Sequence, residues 1–389
     1  MSLTLAASKG GTRPHNTGSH IVTTFASKSW DMLRLLTRGG PALCNVAVTN
    51  ACNAACDFCN FARGKVGARN LRWIDADQFG RALDILRQRD IRYVSFFGGE
   101  PLLHSRLADM IAMVVERDMG PALITNGWLL ASHVDKLAAA GLKTVYISID
   151  AATIAQHEAN RGLEGLGERI RSATSRMREL GMTPLAQVTM SKLLGDYRQL
   201  SPLLRDLHFD AVAFSYPQTT RLGSSSLAWS SDSQLMSFST QEMVAAFDSV
   251  DSLRSEFPVN NPSASVADMK RHLRGQPETF QCYGGFKSFY MDWNYDVWRC
   301  DYWTKKISSV WDFADAPSVR DGCTACVADC YRDSSVMLHF AVSLGDTLDH
   351  LRQGRLRAAT KTLLDRRNFV SLGAVLENAH VLTRLARLG

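Results

Sequence analysis

Residues 43–64 read LCNVAVTNACNAACDFCNFARG, a short apolar stretch followed directly by three cysteines. The first seven residues are typical of a buried β-strand, because valine and other apolar residues dominate them. Cys52, Cys56 and Cys59 then follow at C-x₃-C-x₂-C spacing, and Phe58 precedes the last of them. A structural zinc site uses four ligands and a disulfide uses two cysteines, so three thiols on one loop are an incomplete set for either. A [4Fe–4S] cube held by three thiols would keep one iron open for another ligand.

Further strand-like runs follow this stretch, and amphipathic helical patterns separate them. The six strand candidates are 43–49, 93–97, 121–125, 144–150, 185–190 and 211–216, with helical patterns at 75–90 and 130–142 among those between them. Six βα units in this order predict an α/β fold with a parallel sheet and right-handed crossovers, either open or curled into a partial (β/α)₆ TIM-type barrel.

The unusual residues of this region come directly after the predicted strands. Cys52 to Cys59 follow the first strand, Gly98 to Pro101 the second and Asn126 the third, and Asp150 ends the fourth. Ligand sites of such folds lie at the carboxyl ends of the strands. The topology and the motifs therefore predict one site at this edge of the sheet.

The cysteine spacing, with an aromatic residue before the third cysteine, resembles the signature of the radical S-adenosylmethionine (SAM) superfamily. The resemblance implies that Cys52, Cys56 and Cys59 hold a [4Fe–4S] cluster whose open iron binds SAM. It also implies an enzyme that cleaves SAM reductively to a 5′-deoxyadenosyl radical, with electrons from a flavodoxin- or ferredoxin-type donor. A zinc knuckle and a chance spacing are the alternatives.

The resemblance continues through FFGGEPLLH (96–104), TNG (125–127), SID (148–150) and HEANRG (157–162). It implies that Gly98 and Gly99 let backbone approach the SAM amine, which Glu100 helps to hold. Arg161 resembles an arginine that binds the SAM carboxylate, with a surface cap or ion pair as the alternative. The implied SAM-binding residues are Phe58, Gly98, Gly99, Glu100, Pro101, Asn126, Ser148, Asp150 and Arg161.

No catalytic residue can be assigned from the sequence. Tyr216, Tyr290 and the cysteines are candidates for exchanging the last hydrogen atom. Cys44, on the first strand and outside the signature, is expected to be a small buried apolar residue.

A second group of cysteines lies in residues 280–335. Aromatic and β-branched runs around Asn294-Tyr295-Asp296 predict a β-hairpin, which the C-x₂-C pair of Cys323 and Cys326 follows. This layout resembles the twitch or SPASM modules of radical SAM enzymes and implies one auxiliary [4Fe–4S] cluster. The favoured ligands are Cys282, Cys300, Cys323 and Cys326, with Cys330 as an alternative ligand. A structural zinc site from the same thiols is the competing interpretation.

The charge is concentrated at the two ends of the chain. Residues 1–40 carry five basic residues against one acidic residue, and residues 351–389 carry eight against two. The region between them is mildly acidic, which is unlike a nucleic-acid-binding protein. Basic ends fit contact with an acidic surface such as a membrane, or else a solvated helix face. Residues 1–40 also lack a signal peptide, and no later run could span a membrane, so a cytoplasmic location is expected, with contact at the inner membrane face as one of the two interpretations of the basic ends.

These patterns divide the chain into five parts. We expect a basic extension (1–40), a radical SAM core (41–220), a linker or lid (221–279), the twitch/SPASM-like module (280–335) and a basic amphipathic helical tail (336–389). In the tail, one helical face would carry Leu372, Val375, Leu376, Ala379, Leu382, Leu385 and Leu388.

The cysteines and basic tail partly resemble the C-terminal region of adenosylhopane synthases, which implies an apolar, lipid or polyprenoid-like substrate. A radical SAM peptide maturase and an enzyme that oxidises a small polar metabolite, such as an aminocyclitol, with the auxiliary cluster are the alternatives. The extension of residues 1–40 is short and irregular for the leader-binding domain of a maturase. An iron–sulfur carrier would not need the GGEP segment.

Overall fold

The computed structural model describes residues 31, 33–217, 233–303 and 306–379. In these residues the strands are β1 Ala42–Thr49, β2 Ile91–Gly98, β3 Gly120–Thr125, β4 Thr144–Ile149, β5 Thr183–Thr189, β6 Ala211–Ser215, β7 Ser288–Met291, β8 Asp296–Trp298 and β9 Lys306–Ser309. The helices are α1 Ala76–Gln88, α2 Leu107–Val115, α3 Leu130–Ala139, α4 Ile154–Arg161, α5 Leu166–Glu179, α6 Leu200–Asp206, α7 Thr240–Leu253, α8 Ser263–Leu273, α9 Asp329–Arg352, α10 Leu356–Leu363 and α11 Arg366–Glu377.

All nine strands belong to one sheet, in the order β6-β5-β4-β3-β2-β1-β7-β8-β9. Strands β1 to β6 pair with their sequence neighbours, and every pairing is parallel. This consecutive order is that of a singly wound α/β sheet, since each crossover helix returns the chain to the next strand. The parallel α/β core predicted from the sequence is confirmed.

Local sequence explains why these elements form, and α1 is an example. Its N-cap Asp75 accepts a hydrogen bond from the Asp77 backbone N–H at 2.9 Å. Phe79, Leu83 and Leu86 recur at helical spacing, and each is fully buried against the sheet. Cys44 on β1 is likewise 0% exposed, as expected for a small apolar residue.

The two faces of the sheet differ in burial. Leu123 and Val145, which are register partners, face the helices and are fully buried. The opposite side is called here the inner face. Its half-buried residues include Ser95, Phe97, Ile124, Tyr146, Ser148, Gln187 and Ser215. This face therefore leaves polar and aromatic side chains partly open to solvent.

The C-terminal hairpin extends the same sheet. Strand β7 pairs with β1 in parallel, placing Tyr290 beside Asn45, and β8 and β9 continue in antiparallel fashion. The Asp292 carboxylate accepts hydrogen bonds from the backbone N–H groups of Asn294 and Asp296, at 2.8 and 3.2 Å. The predicted turn is present, and the hairpin is continuous with the core sheet.

The segment expected to be a linker or lid has two parts. Residues 221–232, its Ser-rich beginning, lie outside the described residues. The rest holds helices α7 and α8 instead of irregular structure, and α7 begins with a capping box between Ser239 and Glu242. Val259, between the helices, forms a parallel bridge to Val212 of β6. The described part of this segment therefore belongs to the core.

The tail is helical, as predicted, but α9 crosses the expected boundary between residues 335 and 336. On α11, Ser371 and Ala374 are buried, whereas Leu372 and Leu376 are 37% and 74% exposed. The predicted leucine face therefore points away from the core, although Leu382, Leu385 and Leu388 lie outside the described residues. Among the helices the structure describes, none is both long and apolar enough to cross a bilayer.

Candidate functional site

The signature cysteines lie on the loop that leaves β1, residues 50–64, called here the cluster loop. The Thr49 hydroxyl donates to the Arg72 carbonyl at 2.7 Å and accepts from the Ala51 backbone N–H at 3.0 Å. The strand end and the start of the loop are thereby fixed against the segment before α1. The three cysteines are thus held at the carboxyl edge of the sheet, where the topology predicts a site.

The three thiols act on one another electrostatically. Cys56 is buried, and Cys52 and Cys59 are half-buried. Burial is the largest cause that raises the pKa of each thiol, and Cys56 adds to the rise at Cys52 and Cys59, whose pKa values reach about 11 and about 12. The Arg161 guanidinium lowers the pKa of all three. Three thiols beside one fixed cation fit an iron–sulfur cluster, whose thiolate ligands are negatively charged. Cys52, Cys56 and Cys59 would hold it.

Gly98 and Gly99 follow β2 and pack against the cluster loop. A Cβ atom on Gly98 would lie 2.3 Å from the Thr49 carbonyl oxygen, and one on Gly99 would lie 2.1 Å from that of Ala51. The Gly99 N–H donates to Thr49 at 2.7 Å, and the Glu100 N–H donates to Ala51 at 2.8 Å. Both glycines therefore allow close approach of the cluster-loop backbone, and the expected approach to SAM stays a prediction.

The Glu100 carboxylate joins β2 to the end of β3. It accepts hydrogen bonds from the Thr125 hydroxyl and the Asn126 backbone N–H, both at 2.7 Å, and from the Leu102 N–H at 3.0 Å. The side chain is 0% exposed. Glu100 therefore fixes the position of Asn126, and its expected contact with the SAM amine stays a prediction.

Asn126 faces the cluster loop. Its side-chain amide donates to Asn53 Oδ1 at 2.7 Å and lies 4.0 Å from the Cys52 sulfur. Its Oδ1 accepts from the Trp128 backbone N–H at 2.9 Å. The sequence predicted Asn126 and missed Asn53, whose partner comes from a distant strand end.

Asp150 and Arg161 form a buried ion pair beside the cysteines. Arg161 Nε donates to Asp150 Oδ2 at 2.8 Å, and Nη2 donates to Oδ1 at 2.7 Å. Burial alone would raise the pKa of Asp150, but Arg161, His157 and Asn160 together hold the pKa below its ordinary value, and Arg161 contributes the most of the three. The surface cap considered for Arg161 is wrong, because Arg161 is only 6% exposed.

His157, one turn before Arg161, is a residue whose role sequence reasoning missed. It is fully buried, and its Nδ1 accepts a hydrogen bond from the Asp150 backbone N–H at 3.2 Å. Burial lowers the pKa of His157 to about 4 despite the nearby Asp150 carboxylate. A neutral imidazole therefore supports the Asp150 backbone. Its position one helical turn before Arg161 was the available signal.

The remaining predicted residues surround this centre. Ser148 lies on the inner face, and its hydroxyl donates to the Thr125 carbonyl at 3.2 Å. Pro101 is buried and begins the 3₁₀ turn Pro101–Leu103. Phe58 is 5% exposed within the apolar core.

Four of the five C-terminal cysteines come together. Cys300 and Cys326 share one apolar cluster, against which Cys282 packs, and the Cys282 N–H donates to the Cys323 carbonyl at 3.1 Å. Cys323 and Cys282 both raise the pKa of Cys326, after burial itself. The four favoured cysteines are thus neighbours.

Cys330 has mainly acidic groups around it. It lies on the first turn of α9, and the acidic groups that most affect its pKa, after burial, are Asp329, Asp301 and Asp333. In the described ranges, no three His, Cys, Asp or Glu side chains are arranged as a site for a single metal ion.

Comparison with known proteins finds matches in the core. Residues 46–199 match the family model of the radical SAM superfamily. The chain is 30% identical over 149 residues to the probable GTP 3′,8-cyclase of Methanococcus maripaludis, covering 36% of this chain and 46% of that protein. It is 30% identical over 180 residues to GTP 3′,8-cyclase of Staphylococcus aureus strain JH9, covering 42% and 51%. The chain therefore spans about half the length of these relatives.

Solved structures share the fold over more of the chain. SuiB of Streptococcus suis, bound to S-adenosylmethionine, superposes with a TM-score of 0.54 at 15% identity, covering 76% of this chain and 70% of that chain. The structure of anSMEcpe with bound AdoMet gives 0.51 at 13% identity, covering 89% and 98%. At these identities the likeness is one of fold.

Proposed function

We propose that the protein uses residues 46–199, which match the family model of the radical SAM superfamily, to cleave SAM reductively and to modify a substrate held against the inner face of the sheet. The observation that carries the proposal is the convergence of Cys52, Cys56 and Cys59 on one loop at the carboxyl edge of β1. When bound, a [4Fe–4S] cluster supplies the electron that converts SAM to a 5′-deoxyadenosyl radical.

The residues around the thiols would position SAM. Asp150 occupies Nε and Nη2 of Arg161, while Nη1 has no hydrogen-bond partner in the described residues. Nη1 is therefore available to donate to the SAM carboxylate, while Asp150 holds the guanidinium in place through its other two nitrogens. Asn126 and Ser148 lie at the ends of adjacent strands and offer polar groups to the rest of SAM.

The test is anaerobic reconstitution with iron and sulfide, followed by dithionite and SAM. The wild type should yield 5′-deoxyadenosine and the Cys56→Ala variant should not. Cys44→Ala is the matched control, because Cys44 is a buried cysteine outside the signature. Equal yields from Cys56→Ala and the wild type would refute the proposal.

We also propose an auxiliary [4Fe–4S] cluster on Cys282, Cys300, Cys323 and Cys326, supported by their proximity. Iron should remain bound after Cys52, Cys56 and Cys59 are all replaced by alanine. Iron-free protein that contains zinc would instead support a structural zinc site.

The tail supports a peripheral membrane contact by an otherwise cytoplasmic enzyme. The end of α9, helices α10 and α11 and the residue after α10 expose large apolar side chains: Leu351 46%, Leu356 66%, Leu364 66%, Phe369 67% and Leu376 74%. Arg352, Arg355, Arg357, Lys361 and Arg366 are interspersed with them in the sequence. Apolar residues beside basic ones suit an anionic bilayer surface, and a lipid substrate would be accessible there.

Co-sedimentation with phosphatidylglycerol vesicles tests this contact. Phe369→Ser with Leu376→Ser should reduce binding, whereas phosphatidylcholine vesicles should bind little of either protein. Unchanged sedimentation of the double variant would exclude α11 as the contact.

A polar or peptide substrate is the alternative to a lipid substrate, and the polar groups of the inner face favour it.

A further inference from the structure

A cavity of about 360 Å³, called here the tail cavity, lies among the C-terminal helices. Helices α9 and α10 and the start of α11 form most of its wall, and His339, Ser343, Asp346 and His350 line it from one face of α9. Its volume is that of a small-molecule site, for which roughly 300–1,000 Å³ is usual.

The tail cavity is separate from the cluster loop. The half of α9 that lines it passes the amino end of β1, because a Cβ atom on Gly345 would lie 2.8 Å from the backbone nitrogen of Gly39, shortly before β1. Tyr283, another lining residue, precedes β7, which runs parallel to β1. Both segments place the cavity at the amino edge of the sheet, whereas the signature cysteines follow the carboxyl end of β1. A ligand bound here would therefore lie apart from the site proposed for SAM.

Three basic and two acidic side chains line the tail cavity. Arg320 donates to the Asp346 carboxylate through Nη1 and Nη2, at 2.7 and 2.6 Å. Arg367 donates to the Asp365 carboxylate through Nε and Nη2, at 3.0 and 2.6 Å. Each acid therefore has its own arginine. Lys361 forms no side-chain hydrogen bond or ion pair within the described residues, so its positive charge has no acidic partner there.

Hydrogen-bond donors without partners accompany this charge. The Lys361 ammonium group has three N–H donors, and Arg367 Nη1 adds further donors that bind nothing in the part of the chain that the structure describes. His350 Nδ1, a donor in one tautomer, is buried and likewise lacks a partner among those residues. Buried polar atoms without partners are uncommon in native proteins. The charge and the donors both suit an anionic ligand.

His339 contributes a neutral wall to the tail cavity. Burial is the largest cause of its lowered pKa of about 4, and Arg367 and Arg320 contribute to the decrease. The Tyr283 hydroxyl lies within hydrogen-bond distance of His339 Nδ1, at 2.8 Å, and fixes the ring. At neutral pH the positive charge of the cavity therefore comes from its lysine and arginine residues.

We propose that the tail cavity binds the phosphate group of a soluble phosphate monoester, with Lys361 and Arg367 as the recognition residues. A phosphate monoester carries a charge of about −1.5 to −2 and three terminal oxygens. Several N–H donors therefore match it better than they match the two oxygens of a carboxylate. The volume of the cavity leaves room for the organic group that carries the phosphate. This inference goes beyond the proposed function and does not depend on SAM cleavage.

A lipid headgroup would offer the same phosphate chemistry, but the direction of the α10 side chains favours a soluble ligand. Residues two positions apart on an α-helix point in nearly opposite directions, about 200° apart. Ala358 and Lys361 line the cavity, whereas Leu356 and Leu363, two positions from them, are 66% and 44% exposed. The apolar face of α10 therefore points away from the cavity, and one lipid would not reach both.

The test measures binding of glycerol 3-phosphate to the reconstituted full-length protein by calorimetry, with glycerol and sodium acetate as probe controls. The wild type should bind glycerol 3-phosphate, and Lys361→Met should bind it at least about tenfold more weakly, because a charge-assisted hydrogen bond is lost. Lys136→Met is the matched control, since Lys136 is also an exposed helical lysine without an ion pair in the described ranges. Its affinity for glycerol 3-phosphate should equal that of the wild type.

Asp346→Asn separates recognition of the phosphate from a loss of structure. This change removes a negative charge from the cavity wall and releases Arg320, so it should strengthen the binding of glycerol 3-phosphate. Structural damage to the cavity would instead weaken binding in both Asp346→Asn and Lys361→Met, with lower melting temperatures. Weaker binding in Asp346→Asn at an unchanged melting temperature would contradict the assigned electrostatics.

Three results would overturn the proposal. They are no binding of glycerol 3-phosphate by the wild type, equal affinity in the wild type and Lys361→Met, and binding of acetate as tight as that of glycerol 3-phosphate. Vesicles of phosphatidylcholine with phosphatidic acid are the last probe. Vesicle binding that depends on Lys361, without binding of glycerol 3-phosphate, would assign the cavity to a lipid headgroup and refute the soluble ligand.

Discussion

The guanidinium of Arg161 donates two hydrogen bonds to the carboxylate of Asp150, at 2.7 and 2.8 Å, and both side chains are buried. The Arg161 carbonyl also accepts a hydrogen bond from the Ala55 N–H of the cluster loop at 2.8 Å. The pair therefore connects the end of β4 to the loop that carries the cysteines. It also keeps one positive charge close to their sulfurs.

Asp150→Asn should destabilise the protein by about 3–5 kcal/mol, because it leaves a buried guanidinium without its counter-charge. Denaturant unfolding of the reconstituted protein measures the loss. Asp135→Asn is the matched control, since Asp135 pairs with Arg176 at 2.7 Å on the surface. Asp135→Asn should lower the free energy of unfolding by about 1 kcal/mol or less. Equal losses in the two variants would contradict the role of Asp150 as the buried counter-charge of Arg161.

Gly99→Ala should abolish stable cluster loading, because its Cβ would lie 2.1 Å from the Ala51 carbonyl oxygen. We expect a loss of about 3 kcal/mol or more, since backbone on both sides must move. Gly195→Ala is the control, as no atom lies within 4 Å of a Cβ there. Iron content and melting temperature compare the two variants, and normal iron content in Gly99→Ala would show that the contact can relax.

Stability should fall as the pH decreases below about 6.5, because the unfolded chain binds a proton at His157 that the folded chain does not. Burial lowers the pKa of His157 to about 4 in the folded state. The contribution of His157 to the free energy of unfolding is therefore complete above the unfolded pKa, and it declines as the pH falls from there to about 4. His339 has a similarly lowered pKa of about 4 and adds a second proton.

His157→Gln should reduce this pH dependence by up to about 1.4 kcal/mol per pH unit, the share of one proton. Urea unfolding at about pH 7 and about pH 5 measures the slope for both proteins. The contribution of His339 to the pH dependence should remain in the variant. Parallel pH dependences of wild type and variant would mean that His157 is protonated in the folded state.

Cys326→Ala should remove the auxiliary iron, whereas Cys330→Ala should retain it, because Cys326 lies with the other three cysteines and Cys330 faces acids. Both changes are made in protein that lacks Cys52, Cys56 and Cys59, so that iron analysis reports the second site alone. Loss of iron from both variants would place Cys330 among the ligands.

Features encoded by adjacent residues could be predicted from the sequence. The strand β1 and the cysteine spacing lie within residues 42–59, and the turn at Asn294 to Asp296 is built from its own residues. The helix-forming pattern of the tail is local in the same sense. Such features depend on short-range periodicity and turn chemistry, which are visible in one chain.

Features that depend on distant pairings could not be predicted. Nothing near Tyr290 indicates that its strand pairs with β1, some 245 residues earlier, as the register of Tyr290 with Asn45 shows. The direction of the α11 leucines likewise depends on which face packs against α9. Tyr216 and Asp329 come from segments more than 100 residues apart, so the contact of the Tyr216 backbone N–H with the Asp329 carboxyl follows from the tertiary fold alone.

The pairing of β7 with β1 has a consequence for synthesis. During translation β1 has a neighbour on one side as soon as β2 forms, but its other edge stays open until residues 288–291 emerge. An open edge of an apolar strand is a template for intermolecular pairing. A fragment that ends after β6 would therefore expose β1 as an aggregation-prone edge, and the nascent chain depends on late residues to protect it.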